Sequence, residues 1–364
     1  MNTNLGSLYV HIPFCSHLCA YCGFTKFVFN EERADRYVEK IVSQLEEFHG
    51  TFETLYVGGG TPTALTTRQL AVLFSALSKH VTSDTEFTVE GNPESINPET
   101  IGILKANGVN RFSMGVQCSQ PWLLKEIGRQ HTFDDVIAAT QVLINHGISD
   151  YSMDLMYGFQ DQTLSDFKES IDKVLDLNPT HVSLYSLTIE DNSVFGKKKV
   201  KTVDEDTETE MYLLAIKMLT ERGYHHYEIS NFAKPSYESR HNKVYWHYQP
   251  YYALGVGASQ MVDHHRQTYT TSFVKYMKET SFDEDLALTP DDEMFEFIMM
   301  GLRLKEGISK KEFLRRYGIS IHVHFEEAIR LAKEKHLLIE TEDVLKTTDE
   351  GFIMLFDTLL YFMD

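Results

Sequence analysis

The chain has 364 residues, of which 42% are hydrophobic, and a formal net charge of −19. Such an acidic surface repels phosphate backbones, so we expect no nucleic-acid partner. No apolar stretch is long enough to cross a bilayer, which predicts the absence of an integral membrane segment. Residues 1–7 lack the basic flank and apolar core of a secretion signal, so we expect a cytoplasmic protein.

Short strand-like runs alternate with longer amphipathic segments through the first half of the chain. Strands are predicted at residues 7–12, 54–57, 86–90, 111–116, 151–156 and 181–187. Helices are predicted between them, for example at 34–48, 67–80, 134–146 and 164–175. About thirty residues per repeat is the length that a βαβ crossover needs, so the pattern predicts a largely parallel sheet.

The special residues cluster where predicted strands end. A cysteine loop follows the first strand, a glycine-rich turn follows the second, and Glu90 ends the third. In a (βα) barrel these strand ends share one face, whereas a doubly wound sheet would use mainly its switch point. We therefore predict an α/β fold with an incomplete TIM-like (βα)6 barrel.

The pattern changes after residue 232. Residues 233–249 are rich in Pro, Tyr, His and Asn, and the chain from about 289 is mostly helical. Helices at 291–303, 310–317 and 322–336, followed by a hairpin at 337–347, predict a winged-helix-like module. The predicted division is 1–232 for the barrel, 233–288 for a connecting segment and 289–364 for this C-terminal module.

Three of the four cysteines, Cys15, Cys19 and Cys22, lie within eight residues in the spacing C-x3-C-x2-C. Four thiolates normally hold a [4Fe–4S] cluster, so three would leave one iron open for a cofactor or substrate. Structural zinc is the alternative, with His11 or His17 as the fourth ligand. Spacing alone leaves both readings open.

The cysteine spacing after the first strand of a βα-repeat chain resembles the radical S-adenosylmethionine (SAM) superfamily. Its second signature, a glycine-rich turn after the second strand, is matched by Gly58-Gly59-Gly60-Thr61-Pro62. Only backbone without side chains can approach a ligand so closely, although a tight structural turn would look the same. The resemblance implies a [4Fe–4S] cluster on the three cysteines and a bound SAM, which a reduced cluster cleaves to methionine and a deoxyadenosyl radical.

Longer strings resemble one branch of that superfamily, the oxygen-independent coproporphyrinogen III oxidases and the HemW-type haem chaperones. They include YVHIPFC at 9–15, GRQH at 128–131, DLMYG at 154–158 and GLR at 301–303. The resemblance spans nearly the whole chain. It implies cofactor contacts for Tyr9, Tyr21, Gly59, Gly60, Thr61 and Glu90, and contacts with a second SAM for Gln117, Arg129 and Asp154. An ordinary ion pair is the structural alternative for Arg129 and Asp154.

Two features separate this chain from the oxidases. Phe24 stands where the oxidase motif has a further cysteine, and Tyr9 lies almost at the start of the chain, without the oxidases' longer leading segment. A third feature, HNKVYW at 241–246, matches the HNxxYW motif of the haem chaperones. Histidine is a common axial ligand of haem iron and aromatic rings pack on porphyrins, so His241, Tyr245 and Trp246 are predicted haem contacts. A buried supporting loop is the alternative.

The resemblance therefore predicts a haem chaperone with a [4Fe–4S] cluster, SAM and haem, which delivers haem to apo-haem proteins. It predicts no residue with a catalytic role. Peripheral contact with membrane haem proteins and oligomer formation are compatible with it. The alternatives are an oxygen-independent coproporphyrinogen III oxidase, against which Phe24 and the HNxxYW string argue, and a radical SAM methyltransferase of the same branch, which the sequence does not exclude.

Overall fold

The computed structural model describes residues 3–363. Its strands in chain order are β1 (Ser7–Ile12), β2 (Phe14–Cys15), β3 (Phe27–Val28), β4 (Thr54–Gly59), β5 (Glu86–Gly91), β6 (Arg111–Gln117), β7 (Asp150–Tyr157), β8 (His181–Ser186), β9 (His225–Glu228), β10 (Asn231–Ala233), β11 (Tyr252–Leu254), β12 (Ser259–Val262), β13 (His265–Tyr269), β14 (Phe282–Ala287), β15 (Ile308–Ser309), β16 (Leu338–Glu340) and β17 (Val344–Thr347).

The α-helices are α1 (Glu31–Leu45), α2 (Thr67–Leu77), α3 (Pro98–Ala106), α4 (Pro121–Glu126), α5 (Phe133–Asn145), α6 (Leu164–Asp176), α7 (Val194–Lys198), α8 (Glu205–Glu221), α9 (Arg240–Trp246), α10 (Phe273–Glu279), α11 (Pro290–Gly301), α12 (Lys310–Tyr317), α13 (Ile321–Glu334), α14 (Asp349–Ile353) and α15 (Leu355–Leu360). Single 3-10 turns lie at Pro62–Ala64, Ser78–His80 and Pro93–Ser95. No helix among residues 3–363 is both long and apolar enough to cross a membrane.

The central sheet has the order β11-β1-β4-β5-β6-β7-β8-β10-β9. Strands β1, β4, β5, β6, β7 and β8 are parallel neighbours in chain order, and β10 returns antiparallel to β8. Consecutive parallel strands joined by crossover helices form a barrel wall rather than a doubly wound sheet. Within the described residues the outer strands β11 and β9 do not pair, so the barrel is incomplete, and the predicted fold class is confirmed.

Side chains on the barrel strands alternate between a packed outer face and a polar inner face. On β1, Leu8, Val10 and Ile12 are fully buried in the main hydrophobic core, while Ser7, Tyr9 and His11 occupy the alternate positions. Because successive strand residues point to opposite sides, the same alternation on β4 to β8 lines the barrel interior with polar groups. The barrel therefore has a polar interior behind an apolar wall.

The C-terminal part has its own sheet and core. Strand β15 lies between α11 and α12, and the hairpin β16–β17 follows α13, giving a small sheet of order β15-β17-β16. Its core includes Ile298, Phe313 and Leu345. This arrangement of helices and wing hairpin is the predicted winged-helix-like module.

Residues 233–288 do more than connect two parts. They supply β11, which pairs with β1 of the barrel, and a separate antiparallel sheet of order β12-β13-β14. The domain boundaries at residues 232 and 288 stay a prediction. In this division, residues 233–288 form a structural segment of their own between the barrel and the C-terminal module.

Candidate metal and cofactor site

The three clustered cysteines lie on the loop that follows β1. Cys15 is buried in β2, and Cys19 and Cys22 are half-buried. The Thr61 hydroxyl approaches the Cys15 sulfur at 3.6 Å, and an Arg129 guanidinium nitrogen approaches the Cys19 sulfur at 3.7 Å. Burial raises the pKa of Cys15 to about 11, and the neighbouring cysteine thiols add to the shift. A bound cation would reverse this preference, since metals bind the thiolate form.

The alternative of a single zinc ion has little support in the geometry. Within residues 3–363 no three His, Cys, Asp or Glu side chains form a group that could hold one metal ion. Both ring nitrogens of His11 are already engaged, Nδ1 with the Tyr9 hydroxyl at 3.0 Å and Nε2 with the Thr25 carbonyl at 2.8 Å. An iron–sulfur cluster does not need its thiolates at a common ion, because each thiolate binds a different iron. The donor set therefore fits a cluster.

The glycine-rich turn at the end of β4 lies directly against the cysteine loop. The amide of Gly60 donates to the Ile12 carbonyl at 2.8 Å. A Cβ on Gly60 would lie 2.8 Å from the Phe14 carbonyl oxygen and 3.0 Å from the Cys15 sulfur, and one on Gly59 would lie 2.4 Å from the His11 ring. Gly59 also has φ +113°, which other residues rarely adopt. Close packing here therefore requires glycine.

A half-buried carboxylate, Glu90, stands beside this turn at the end of β5. It accepts hydrogen bonds from the Tyr56 hydroxyl at 2.7 Å and the Gly59 amide at 3.0 Å. Burial, together with the charge of Asp154, raises its pKa to about 7. Tyr9, predicted as its partner in cofactor contact, is half-buried with its ring 6.1 Å from that of Tyr56. Glu90 is thus a hydrogen-bond acceptor that can take up a proton near neutral pH, and it lies beside the glycine-rich turn.

The residues predicted to hold a second SAM come from β6, from β7 and, for Arg129, from the loop between α4 and α5. Arg129 donates to the Asn92 side-chain oxygen at 2.8 Å and to the Gly115 carbonyl at 2.7 Å. A Cβ on Gly115 would lie 2.8 Å from Gln117 Nε2, so Gln117 borders the same spot. Asp154 accepts from the Ser113 hydroxyl at 2.9 Å. Their use as cofactor contacts stays a prediction.

The alternative of a structural ion pair does not describe these two charges. Among residues 3–363, the oxygen partners of Arg129 are the Asn92 side chain and the Gly115 carbonyl, and Asp154 accepts from serine hydroxyls. Burial raises the pKa of Asp154, and the Arg129 Nε has no hydrogen-bond partner in the described part of the chain. Arg129 thus keeps one unused donor, whereas both Asp154 oxygens already accept hydrogen bonds from Ser113 and Ser152.

Tyr21 completes the group at this end of the barrel. Its ring meets Phe159 edge-on at 6.3 Å, and its hydroxyl lies near the charges of Arg129, Cys19 and Cys22. The structure thus brings together the following predicted residues at the carboxyl ends of the strands: Tyr9, Cys15, Cys19, Tyr21, Cys22, Gly59, Gly60, Thr61, Glu90, Gln117, Arg129 and Asp154.

The predicted haem ligand His241 lies elsewhere, at the amino ends of the strands. Its side chain is 1% exposed. Nδ1 is 2.7 Å from the Thr54 hydroxyl, and Nε2 is 2.8 Å from the Tyr245 hydroxyl. Its ring stacks on Tyr56 at 5.1 Å, and Tyr56 in turn reaches Glu90. His241 and Tyr245 therefore pack at the amino-terminal end of the barrel strands. Both imidazole nitrogens of His241 are engaged, so neither is free to bind iron.

Trp246 ends α9 at the border with the C-terminal module. The Arg303 guanidinium lies over its ring at 5.2 Å. Its indole nitrogen has no hydrogen-bond partner within residues 3–363. The HNxxYW string and the GLR string, read separately in the sequence, therefore meet in space.

Two site residues were not singled out from the sequence. Asn92 donates to the Thr61 hydroxyl at 3.2 Å and accepts from Arg129, so it links the glycine-rich turn to Arg129. Tyr56 links Glu90 to His241. The available signal for Asn92 was its position two residues after Glu90. Tyr56 could have been found from the inward-facing alternation on β4.

Comparison with known proteins places these features in a family. The radical SAM superfamily model matches residues 9–174, and the HemN C-terminal domain model matches residues 288–354. The heme chaperone HemW of Lactococcus lactis is 35% identical over 357 residues, which cover 95% of this chain and 94% of that protein. This chain belongs to the HemW family.

Other HemW relatives cover the chain equally well. The heme chaperone HemW of Bacillus subtilis is 34% identical, with 96% of each chain covered, and that of Escherichia coli is 31% identical, with 98% of each covered. Among solved structures, coproporphyrinogen III oxidase (HemN) from Escherichia coli, described as a radical SAM enzyme, matches with a TM-score of 0.86. That match covers 98% of this chain and 89% of the oxidase at 22% identity, and it shows the shared fold.

Proposed function

We propose that this chain is a haem chaperone that binds a [4Fe–4S] cluster, SAM and haem, and that delivers haem to apo-haem proteins. The observation that supports the proposal most is the convergence of Cys15, Cys19 and Cys22 with the glycine turn and Glu90 at one end of a polar barrel. Membership of the HemW family, whose members are named heme chaperones, supplies haem as the cargo.

The chain's own residues would hold and orient the cofactors. Cys15, Cys19 and Cys22 would hold the cluster, which when bound supplies one-electron chemistry towards SAM. The Thr61 hydroxyl and the Arg129 guanidinium are the donors placed near two of the sulfurs, where they would favour the thiolate form. Glu90 and Asp154 offer acceptors for SAM hydroxyl or amino groups, since carboxylates bind such donors strongly.

The haem contacts at His241, Tyr245 and Trp246 stay a prediction. As folded, Nε2 of His241 is bonded to Tyr245, so ligation of iron through that nitrogen would require this hydrogen bond to break. The contacts favour instead a supporting role, in which α9 fixes Tyr56 and, through it, Glu90. The partners in this proposal are haem and apo-haem proteins, with membrane haem proteins reached peripherally.

A haem titration followed by a transfer assay tests the proposal. Anaerobically reconstituted full-length protein should bind ferric haem with a distinct Soret band. When mixed with a haem-free globin, it should lose that band as the globin spectrum appears. A protein whose spectrum does not change on haem addition, or which keeps haem indefinitely in the presence of the acceptor, would overturn the proposal.

A further inference from the structure

A chain of hydrogen bonds crosses the barrel interior from the start of α9 to Asp154. The Ser239 amide lies 3.3 Å from the Tyr227 hydroxyl oxygen, and that oxygen is 2.8 Å from Nε2 of His181. Nδ1 of His181 is 2.8 Å from the Ser152 hydroxyl oxygen, which in turn is 3.0 Å from Asp154 Oδ1. The chain thus joins the helix of the HNxxYW string to a residue predicted to hold a second SAM.

The members of this chain are shielded from water. Ser152 on β7 and Ser239, the N-cap of α9, are fully buried. His181 on β8 and Tyr227 on β9 are nearly so. In such surroundings hydrogen bonds are stronger than in water and polarise one another, and a broken link leaves a buried polar group unsatisfied. The contacts therefore fix the orientation of each member of the chain.

The amide at one end fixes the direction in which every link donates. A backbone amide can only donate, so Tyr227 accepts from the start of α9 and gives its own proton to Nε2 of His181. Burial and the positive charge of Arg111 hold the pKa of His181 well below its ordinary value, so its ring is neutral and carries one proton. That proton is on Nδ1 and is donated to Ser152, whose hydroxyl then donates to Asp154.

Asp154 receives donors from both sides of its strand. Ser113 on β6 donates to Oδ2 at 2.9 Å, while Ser152 donates to Oδ1. Ser183 Oγ lies 3.2 Å from Ser152 Oγ and can donate to it in this arrangement. Burial raises the pKa of Asp154, and the serine hydroxyls act against that shift by favouring the carboxylate. A carboxylate has about four acceptor positions, so the serines orient the group and leave acceptor capacity for a ligand.

We propose that His181 and Tyr227 are positioning residues for Asp154: through the tautomer of His181 they hold the Ser152 hydroxyl towards the carboxylate, which then accepts from hydroxyl or amino groups of SAM. The inference rests on the proposed function, in which Asp154 is a SAM contact. It places the start of α9 and the SAM end of the barrel on one directed hydrogen-bond chain.

The tautomer of His181 tests the direction of the chain. In the full-length reconstituted protein with nitrogen-15-labelled histidine, NMR at neutral pH should show a proton on Nδ1 of His181 and none on Nε2. The two resonances are identified as the pair that moves in Tyr227→Phe, because that variant removes the partner of Nε2. A proton on Nε2 in wild type would reverse the links to Tyr227 and Ser152 and would overturn the proposal.

Calorimetric titration of the reconstituted protein with SAM tests the positioning role. Tyr227→Phe removes one hydroxyl and keeps the ring, and it should weaken SAM binding about fivefold, the effect of one lost hydrogen bond. Tyr151→Phe is the matched control on the strand that carries Asp154. The Tyr151 hydroxyl donates to the Leu177 carbonyl at 2.8 Å and takes no part in the chain, so this variant should bind SAM like wild type.

A double-mutant comparison separates positioning from a general loss of packing. Ser152→Ala removes the last link and leaves Ser113 to hold Asp154, so SAM binding should again fall about fivefold. In the Ser152→Ala background, Tyr227→Phe should have no additional effect, because it acts on Asp154 only through that link. Additive losses would mean that Tyr227 acts through the general stability of the fold, and the proposal would be wrong.

The titrations also distinguish this inference from the proposed function. If reconstituted wild type binds no SAM, the SAM contact of the proposed function fails, and this inference fails with it. If wild type binds SAM and Tyr227→Phe matches Tyr151→Phe, the chain does not position Asp154, although the proposed function stands.

Discussion

At the scale of single residues, the four cysteines occupy two environments. Cys15, Cys19 and Cys22 share a loop at the mouth of the barrel, whereas Cys118 is fully buried among Leu123, Leu124 and Ile127. Burial raises the pKa of Cys118 to about 12, so its thiol is inert at neutral pH. One residue type thus occurs in two settings, a loop that is proposed to bind the cluster and a packed interior position.

This difference predicts the behaviour of cysteine variants. Anaerobic reconstitution of wild type should give about four irons and four sulfides per chain. Replacement of Cys15, Cys19 or Cys22 by Ala should abolish the cluster, while Cys118→Ala should retain it with normal iron content. Iron and sulfide analysis checks both, and stoichiometric zinc without sulfide would refute the cluster.

The burial of His241 predicts a pH dependence of stability. Burial and the positive charge of Arg111 lower its pKa to about 3, against an ordinary value near 6.5. Between about pH 3 and pH 6.5, His241 is therefore protonated in the unfolded chain but neutral in the folded chain. The free energy of unfolding should fall as pH falls, through this group by about 1.4 kcal/mol per pH unit.

The test compares His241→Asn with the exposed control His49→Asn in urea unfolding of the cluster-free protein. At pH 7 the His241 variant should be less stable by about 1–3 kcal/mol, because hydrogen bonds to Thr54 and Tyr245 are lost. Between pH 7 and pH 5 this deficit should shrink by about 2 kcal/mol, since the variant lacks the titrating group. Parallel pH curves for wild type and His241→Asn would contradict the assignment.

At the scale of elements, the glycines at the end of β4 decide how closely the cysteine loop and Glu90 can approach each other. Its glycines allow the turn to lie between the cysteine loop and Glu90, and the Gly59 amide donates to Glu90 directly. Helix α9 acts from the opposite end of the same strand, where His241 contacts Thr54 and Tyr56. One strand therefore connects the two motifs that the sequence shows far apart.

A single methyl group on the turn should disturb the site. In Gly60→Ala the added Cβ would press on Phe14 and Cys15, so we expect SAM affinity to fall at least about tenfold, or about 1.4 kcal/mol. Gly102→Ala on α3 is the control, since nothing lies within 4 Å of the position of its added Cβ. Calorimetric titration of both reconstituted variants with SAM checks this. Equal affinities would remove the turn from the SAM site.

At the scale of the whole molecule, the middle segment and the C-terminal module both pack against the polar barrel. The barrel supplies the cysteine end, the middle segment closes the other end through α9, and the C-terminal module covers Trp246 through Arg303. The residues predicted to hold the cofactors and the HNxxYW string thus lie at opposite ends of the barrel.

The whole-chain likeness to an oxidase fold does not predict oxidase activity. Phe24, which stands where the oxidases have a further cysteine, is 70% exposed and cannot act as a metal ligand. We therefore expect anaerobic assays with SAM, reductant and coproporphyrinogen III to give no protoporphyrinogen IX. Formation of product at about one turnover per second or faster would overturn the chaperone proposal in favour of an oxidase.

The sequence by itself determined what depends on local order. Strand and helix periodicity fixed the βα repeat, because alternation and amphipathicity are properties of neighbouring residues. The spacing of Cys15, Cys19 and Cys22 and the run of glycines at the end of β4 identified one end of the barrel for the same reason. The helix and hairpin order of the C-terminal module could also be predicted from its local pattern.

Only the tertiary structure decided contacts between residues distant in the chain. His241 and Thr54 are 187 positions apart, and their hydrogen bond places the HNxxYW motif at the amino ends of the strands. The pairing of His264 with Glu293 likewise depends on how the middle segment packs on the module. Periodicity carries no information about such packing, because the burial of a side chain and the partner of each ring nitrogen are set by the assembled fold.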